Sequence, residues 1–205
     1  MEWYDIVAPL YDRTIDKTYL PYRKAAVKAL GLEPGCSVID IACGTGLNFG
    51  LILDEIGPNG TLIGIDSSAK MLDRAFQKVK TGGWRNVHLL HLDIHRLALN
   101  CVEAAAGRSI EIDSVICTLG FTVFRDWQDV FERSFGLLKR GGRYCVMDIF
   151  NDEVTLRIRA VRVLANADNS RRVWEPLREK CPDYLEERYP MAHGDTVVVA
   201  AGTKP

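Results

Sequence analysis

The amino-acid sequence predicts a doubly wound α/β fold: a mostly parallel seven-stranded sheet, helices on both faces, and an antiparallel hairpin at its C-terminal end. Three observations carry this. Apolar strand-like runs alternate with helix-like runs from residue 37 to residue 149, the rhythm of successive βα units. The strand-like runs are continuously apolar rather than alternating, as strands covered on both faces are. Beyond Ile149 the rhythm changes, and two closely spaced strand candidates, residues 184–189 and 196–200, imply an antiparallel strand there.

The elements follow in order. Pro21 suits the first turn of a helix that Ala25, Ala26, Ala29 and Leu30 continue and Gly31 stops. Residues 37–42 form the first strand, the Gly44/Gly46 loop follows, and a helix over residues 47–56 stops at Gly57. Pro58-Asn59-Gly60 is a turn. Thr61–Asp66 is the second strand, and Ser67 is the expected N-cap of a helix whose apolar face is Leu72, Ala75, Phe76 and Val79. Residues 87–92 are the third strand, followed by a weaker helical segment, and Ile112–Thr118 is the fourth. A helix carrying Val130, Phe131, Leu137 and Leu138 is expected to end at Gly141-Gly142, before a fifth strand over residues 144–149. Helical segments near residues 154–165 and 171–181 precede the hairpin.

Composition narrows the function classes. A 205-residue chain, 47% hydrophobic and 26% charged, has an ordinary globular balance and enough length for a core without disulfide or metal staples. Twenty-six basic against 27 acidic residues leave a net charge of −1, which gives no general attraction to nucleic acid. The longest apolar runs are far too short to span a bilayer, and Met1-Glu2-Trp3-Tyr4-Asp5 does not open a secretory signal. Six scattered cysteines, with no Cys-x-x-Cys pair, read as reduced core residues of a cytoplasmic protein, with no metal site.

Open α/β sheets bind ligands at the carboxyl ends of their strands. Here Val38-Ile39-Asp40-Ile41-Ala42 runs into Cys43-Gly44-Thr45-Gly46, and Asp66 ends the second strand 20 residues after Gly46. Glycines admit close backbone approach, the helix start offers free N–H donors, and the distant carboxylate is placed to accept both hydroxyls of a ribose. The dinucleotide fingerprint requires a small third residue, but the two registers put Leu47 or Phe49 there. The loop also has no lysine, so a pyrophosphate site is disfavoured.

The run from Val38 to Gly46 resembles the first motif of the Rossmann-like (class I) S-adenosylmethionine-dependent methyltransferases. Gly64-Ile65-Asp66-Ser67-Ser68-Ala69-Lys70-Met71-Leu72 is similar to the second motif and His91-Leu92-Asp93-Ile94 to the third. Asp113-Ser114-Val115-Ile116-Cys117-Thr118 and Leu137-Leu138-Lys139-Arg140-Gly141-Gly142-Arg143 are similar to the fourth and fifth. The likeness covers most of the chain, and its flavour is that of ubiquinone/menaquinone C-methyltransferases and bacterial phospholipid N-methyltransferases. Ala42 stands where the commonest motif has glycine, as it often does in this branch. Cys117-Thr118-Leu119-Gly120 replaces the Asn/Asp-Pro-Pro-Tyr/Phe motif, which argues against methylation of nucleobase amines.

The resemblance implies a cofactor, S-adenosyl-L-methionine, and one domain over residues 1–205. That domain has an N-terminal helical cap segment (1–30), a cofactor-binding core (37–149) and C-terminal helices with the hairpin (150–205). Ala42, Cys43, Gly44 and Gly46 would lie beneath the methionyl part, with Asp40 near its ammonium group. Asp66, beside Ser67, would hold the ribose hydroxyls, and Asp93 would accept from adenine's exocyclic amine. Met71 or a neighbour would pack on adenine, with ordinary helix packing the alternative for Met71. Ile94 and Thr118 would complete the wall, and Tyr11 would approach from the cap. Asp66 and Asp93 could instead be plain caps after their strands.

Methyl transfer from a sulfonium is an in-line displacement with an activated leaving group, so positioning can supply most of the acceleration. No catalytic base stands out. His88, His91 and His95 read as surface or structural residues, and His193 is the best-placed base candidate. Tyr4 and Tyr11 are separated by Pro9, which predicts a short helix, a break and a second helix forming a movable flap, with tyrosines that simply dock a terminal helix on the sheet as the alternative. Phe121, Phe124 and Trp127 line the pocket or simply pack. The apolar face of residues 156–164, flanked by Arg157, Arg159 and Arg162, reads as a core-facing helix with a solvated rim in preference to a lipid-binding one. The acceptor expected is a small molecule or a lipid head group. A dinucleotide-dependent oxidoreductase and a non-catalytic cofactor-binding module are the competing readings.

Overall fold

The computed structural model describes residues 3–151, 167–191 and 194–205, with side chains in the first helix from Lys17 onward. Helix α1 (Trp3–Leu30) leads to β1 (Ser37–Ile41), α2 (Phe49–Ile56), β2 (Thr61–Asp66), α3 (Ala69–Gly82) and β3 (Val87–His91). A 3₁₀ turn (Ile94–Arg96), α4 (Leu99–Ala106), β4 (Ile112–Thr118), α5 (Trp127–Leu137) and β5 (Leu138–Phe150) follow. A short α6 (Glu175–Lys180) precedes β6 (Leu185–Pro190) and β7 (Thr196–Thr203). The seven strands form one sheet in the order β3-β2-β1-β4-β5-β7-β6. The first five are mutually parallel, and β7 runs antiparallel to both β5 and β6. This is the predicted mixed sheet with its C-terminal hairpin. No helix among the described residues is long and apolar enough to cross a membrane.

Two cores flank the sheet, and strand periodicity assigns residues to them. Ile39 and Ile41 of β1 join Val115 and Cys117 of β4 in one core, against Val130, Phe131 and Phe135 of α5. Val38 and Ile116 point to the other, where Ala26, Val27 and Leu30 of α1 meet Phe49, Ile52 and Ile56 of α2. By the same parity, Asp40 and Thr118 project to the α1 face and Asp148 of β5 to the α5 face. These assignments decide which polar groups can meet at the carboxyl end of the sheet.

Several local expectations are corrected. Helix α1 is a single run with Pro9 and Pro21 in its interior, not two helices broken at Pro9. A proline removes one helical hydrogen bond, and burial of the C-terminal half against β4, β5 and β7 holds the helix regardless of Pro21. The N-cap of α3 is Ser68, whose hydroxyl accepts from Met71 N–H; Ser67 lies one residue too early. Leu138 opens β5 rather than closing α5. Gly141 and Gly142 lie inside β5, where the pairing with β4 slips between Ile112↔Leu138 and Ser114↔Arg143. The glycine pair, with Gly141 at φ +75°, makes a bulge and not a helix stop. The helix expected at residues 154–165, with its arginine-flanked face, lies outside the described residues.

Gly120, just beyond β4, packs the loop after that strand onto the loop after β1. A Cβ built there falls 2.7 Å from Cys117 Sγ and 2.9 Å from Ala42 Cβ. Gly120→Ala should therefore destabilise the fold by about 1–3 kcal/mol, the cost of forced overpacking, read as a lower urea midpoint. An unchanged midpoint would mean that the two loops are free to separate.

Candidate functional site

The sheet order reverses direction at β1, which has β2 on one side and β4 on the other. Ligands bind open α/β sheets at this switch point. The loop leaving β1 passes through positive φ at Ala42 (+51°), Gly44 (+55°) and Gly46 (+77°). The glycines differ in what they permit. A Cβ on Gly46 would meet the Phe49 ring at 2.6 Å, whereas one on Gly44 would meet nothing within 4 Å. Gly46 thus lets the loop pack on α2, and Gly44 leaves an open approach to its backbone.

Beside this loop is a cleft of about 280 Å³. Five of the expected residues line it: Ala42, Asp66, Ser67, Asp93 and Ile94. Asp66 Oδ2 accepts the Gly44 N–H at 2.8 Å, and Oδ1 accepts the Ser68 N–H at 2.8 Å. The carboxylate therefore ties the loop after β1 to the start of α3. Burial pushes its pKa up, against the pull of those backbone N–H donors. Asp93 caps the 3₁₀ turn by accepting from His95 N–H at 3.1 Å. Each carboxylate is both a cap and a wall of the cleft, and each keeps acceptor capacity beyond its cap. Ile65, Leu92, His95 and Phe124 complete the lining. His95 turns Nδ1 toward Asp129 Oδ2 at 3.4 Å. Apolar walls with two carboxylates at the strand ends suit a nucleoside: an apolar ring, an exocyclic amine and a diol.

Asp40 and Thr118 do not reach the cleft lining. Asp40 is fully buried, and both of its oxygens accept from Asn48 Nδ2, at 3.0 and 3.1 Å. Asn48 Nδ2 also reaches Thr118 Oγ1 at 3.1 Å. The buried Arg23 of α1 donates Nη1 to Asn48 Oδ1 (2.9 Å) and to Thr118 Oγ1 (2.6 Å). Burial raises the Asp40 carboxyl to about 7, opposed by the Asn48 hydrogen bond and the Arg23 charge. Asn48 is the N-cap residue of α2 but makes no side-chain capping bond, because its amide is committed to Asp40 and Thr118.

The remaining expected residues divide. Cys43 is buried, and burial holds its thiol well up. Met71 is buried in α3 and is not among the cleft's lining residues, in line with its helix-packing alternative. Tyr11 lies on α1 with its side chain outside the described residues, as is that of Tyr4, and His193 is outside them too. Phe121 is wholly core, while its neighbour Phe124 faces the cleft. Arg23 and Asn48 belong to none of the sequence motifs. A signal for Arg23 existed: it precedes Ala26, Val27 and Leu30 at i, i+3, i+4 and i+7, the first place on a buried face.

Fold and site together define a Rossmann-like α/β protein with a cleft at its switch point. A methyltransferase-domain family model matches residues 32–188, more than half of the chain, and the protein belongs to that family. It is 29% identical over 149 residues to a demethylmenaquinone methyltransferase of Listeria welshimeri, covering 71% of this chain and 60% of that one. The chain thus spans about 60% of the length of the curated relatives it matches first. Among solved structures it resembles Haemonchus contortus phosphoethanolamine N-methyltransferase 2 in complex with S-adenosyl-L-methionine. The TM-score is 0.74 at 14% identity, covering 100% of this chain and 60% of that one. It also resembles geranyl diphosphate C-methyltransferase from Streptomyces coelicolor, with TM-score 0.71 at 13% identity, covering 90% and 79%. At these identities the likeness shows the fold.

Across the sheet, Asp148 holds the loop after β4: Oδ1 accepts from Thr122 Oγ1 and Ile149 N–H, both at 2.9 Å, and Oδ2 from Thr122 N–H at 3.1 Å. Burial raises its carboxyl from 3.8 to about 6. The folded state then keeps this proton more tightly than the unfolded chain. Its contribution to stability is complete below the unfolded value and is lost as pH rises through about 6. This group alone should lower stability by up to about 3 kcal/mol across that window. Urea titrations at several pH values should show Asp148→Asn flattening that limb, and parallel profiles for the two proteins would contradict the assignment.

Proposed function

We propose that this protein is an S-adenosylmethionine-dependent methyltransferase of the cytoplasm, acting on a small-molecule or lipid-like acceptor. The observation that carries the reading is Asp66: a strand-end carboxylate lining the cleft and bonded to the Gly44 N–H, so that ribose-binding group and glycine loop are one unit. The family match and the named activities of relatives and neighbours support it: acceptors in those names include demethylmenaquinone, phosphoethanolamine and geranyl diphosphate. Six free cysteines fit a reducing compartment.

The cofactor, when bound, supplies a methyl group on a positively charged sulfur that leaves readily. The chain's own residues bind and orient. Asp66 would hold the ribose hydroxyls with Ser67 beside it, and Asp93 would accept from the adenine amine. Ala42, Ile94 and Phe124 would enclose the base. The open backbone at Gly44, with Cys43 and Gly46 shaping the loop, would lie beneath the amino-acid part, while Asp40 is buried off the cleft and holds Asn48 beyond the loop. No side chain is required to move a proton in the transfer itself, so rate comes from orientation and from keeping water out.

S-adenosylhomocysteine should bind at micromolar strength and raise the melting temperature through linkage, while NADH should leave the curve unmoved. The reverse pattern would point to a dinucleotide enzyme. Transfer of labelled methyl to acceptor pools separates an enzyme from a binding module. Asp66→Ala should weaken S-adenosylhomocysteine by about 1–3 kcal/mol, the scale of lost hydrogen bonds to an ionised group. Asp66→Asn keeps an acceptor for one of the two N–H groups and should bind better than the alanine variant. Equal, undiminished affinity in both folded variants would leave Asp66 as a cap alone.

A further inference from the structure

We propose that Arg23 is a positioning residue: through Asn48 and Thr118 it fixes the two strand-end loops at the switch point and thereby sets the seat of the cofactor's amino-acid end. The proposal rests on the cofactor reading above and adds to it a residue from outside the sheet and its motifs.

The geometry is specific. Arg23 lies on α1 one turn before Ala26 and Val27, which are buried against the sheet, and is itself only 5% exposed. One nitrogen, Nη1, donates both to Asn48 Oδ1, in the β1–α2 connection, and to Thr118 Oγ1, the last residue of β4. Asn48 passes the contact on to both oxygens of Asp40 and to Thr118. The four side chains close a buried circuit between α1, β1, the N-cap of α2 just past the Gly44–Gly46 loop, and the end of β4. Beyond Thr118 the chain enters Leu119, held at φ +58° with its N–H on Met147 O at 2.7 Å. The circuit therefore fixes both segments whose backbones leave the helical and extended regions beside the cleft.

Burial explains why a cation is favoured at this position. Asp40 has no exposed surface, and a carboxylate there needs both hydrogen bonds and a nearby positive charge. Asn48 supplies the hydrogen bonds and Arg23 the charge, while Asp66 and the thiols of Cys43 and Cys117 are the other titratable groups in Asp40's field. None of the circuit's four residues lines the cleft, which is walled by Asp66, Asp93 and Ile94. Arg23 thus acts on the site through the loop, most directly at the amino-acid end, and touches no part of the adenosine wall.

That asymmetry gives the test. S-adenosylhomocysteine and 5′-methylthioadenosine share the adenosine and the sulfur, but only the first has the amino-acid part. Calorimetric titration of wild type, Arg23→Lys, Arg23→Met and Thr118→Val with both compounds reads the two ends of the site separately. The expected result is a loss of roughly tenfold or more in S-adenosylhomocysteine affinity for Arg23→Met, the scale of a charged hydrogen bond. Arg23→Lys and Thr118→Val should lose less, and 5′-methylthioadenosine should hold its affinity throughout. A purely structural role would weaken both ligands in parallel, and equal losses in folded variants overturn the proposal, as do undiminished affinities. Should Arg23→Met fail to fold, Arg23→Lys and Thr118→Val carry the same comparison. A wild-type protein that binds neither compound overturns the cofactor reading itself, an outcome distinct from any failure of Arg23.

Discussion

Strand β1 is covered on both faces, and Asp40 near its carboxyl end is therefore a carboxylate that water does not reach. Such a group is tolerated only if the chain replaces what water would have given it. The replacement comes from two other elements: the Asn48 amide from the β1–α2 connection and the Arg23 charge from α1. Any arrangement that satisfies Asp40 therefore also places the glycine loop and docks α1. Truncating one partner would push the Asp40 carboxyl further toward its neutral form and leave buried hydrogen bonds unmade, which is why such circuits act as a unit.

Asp66 solves a different problem with the same chemistry. It is less deeply placed and faces the cleft, yet two backbone N–H groups already hold it. Capping and ligand binding are often treated as rival explanations for a strand-end carboxylate. Here the geometry makes them cooperative. A carboxylate has about four acceptor positions, and the two used on Gly44 and Ser68 fix the orientation of the rest. A ligand hydroxyl would meet an oxygen that needs no reorganisation.

The sheet was legible because its signals are local: continuous apolar runs, glycine turns and a final pair of closely spaced strands. The five parallel strands and the hairpin follow from those alone. The cleft residues at strand ends, Ala42, Asp66, Asp93 and Ile94, were legible for the same reason, since topology puts strand ends together. What escaped was long-range or competed with a local rule. Asn48 carries no mark of its commitment to Asp40, eight residues back across the loop. Arg23 sits on a helix whose partner strand is 95 residues away at Thr118. The Gly141-Gly142 pair has the look of a helix stop, but pairing with β4 draws it into a bulged strand. Pro9 has the look of a break, yet the helical backbone runs through it.

Ala42 and Leu119 bring these points to one place. Among the described residues they are the only non-glycine positions with positive φ, and they terminate the adjacent strands β1 and β4. An L-residue in that region costs about 1–2 kcal/mol, and two so near each other are unlike ordinary loop strain. Glycine at position 42 would relieve the backbone but remove a methyl group that lines the cleft and lies against Gly120. Leu119 is likewise drawn into the α1-side core while its N–H is fixed by Met147. At both ends side-chain packing holds a conformation the local chain would leave, and at Leu119 a hydrogen bond to β5 holds it too. Those packing contacts reach α1 on one side and the cleft wall on the other. The strained positions thus stand where β1 and β4 give way to their loops, beside Thr118, the end of β4 that the Arg23 circuit holds.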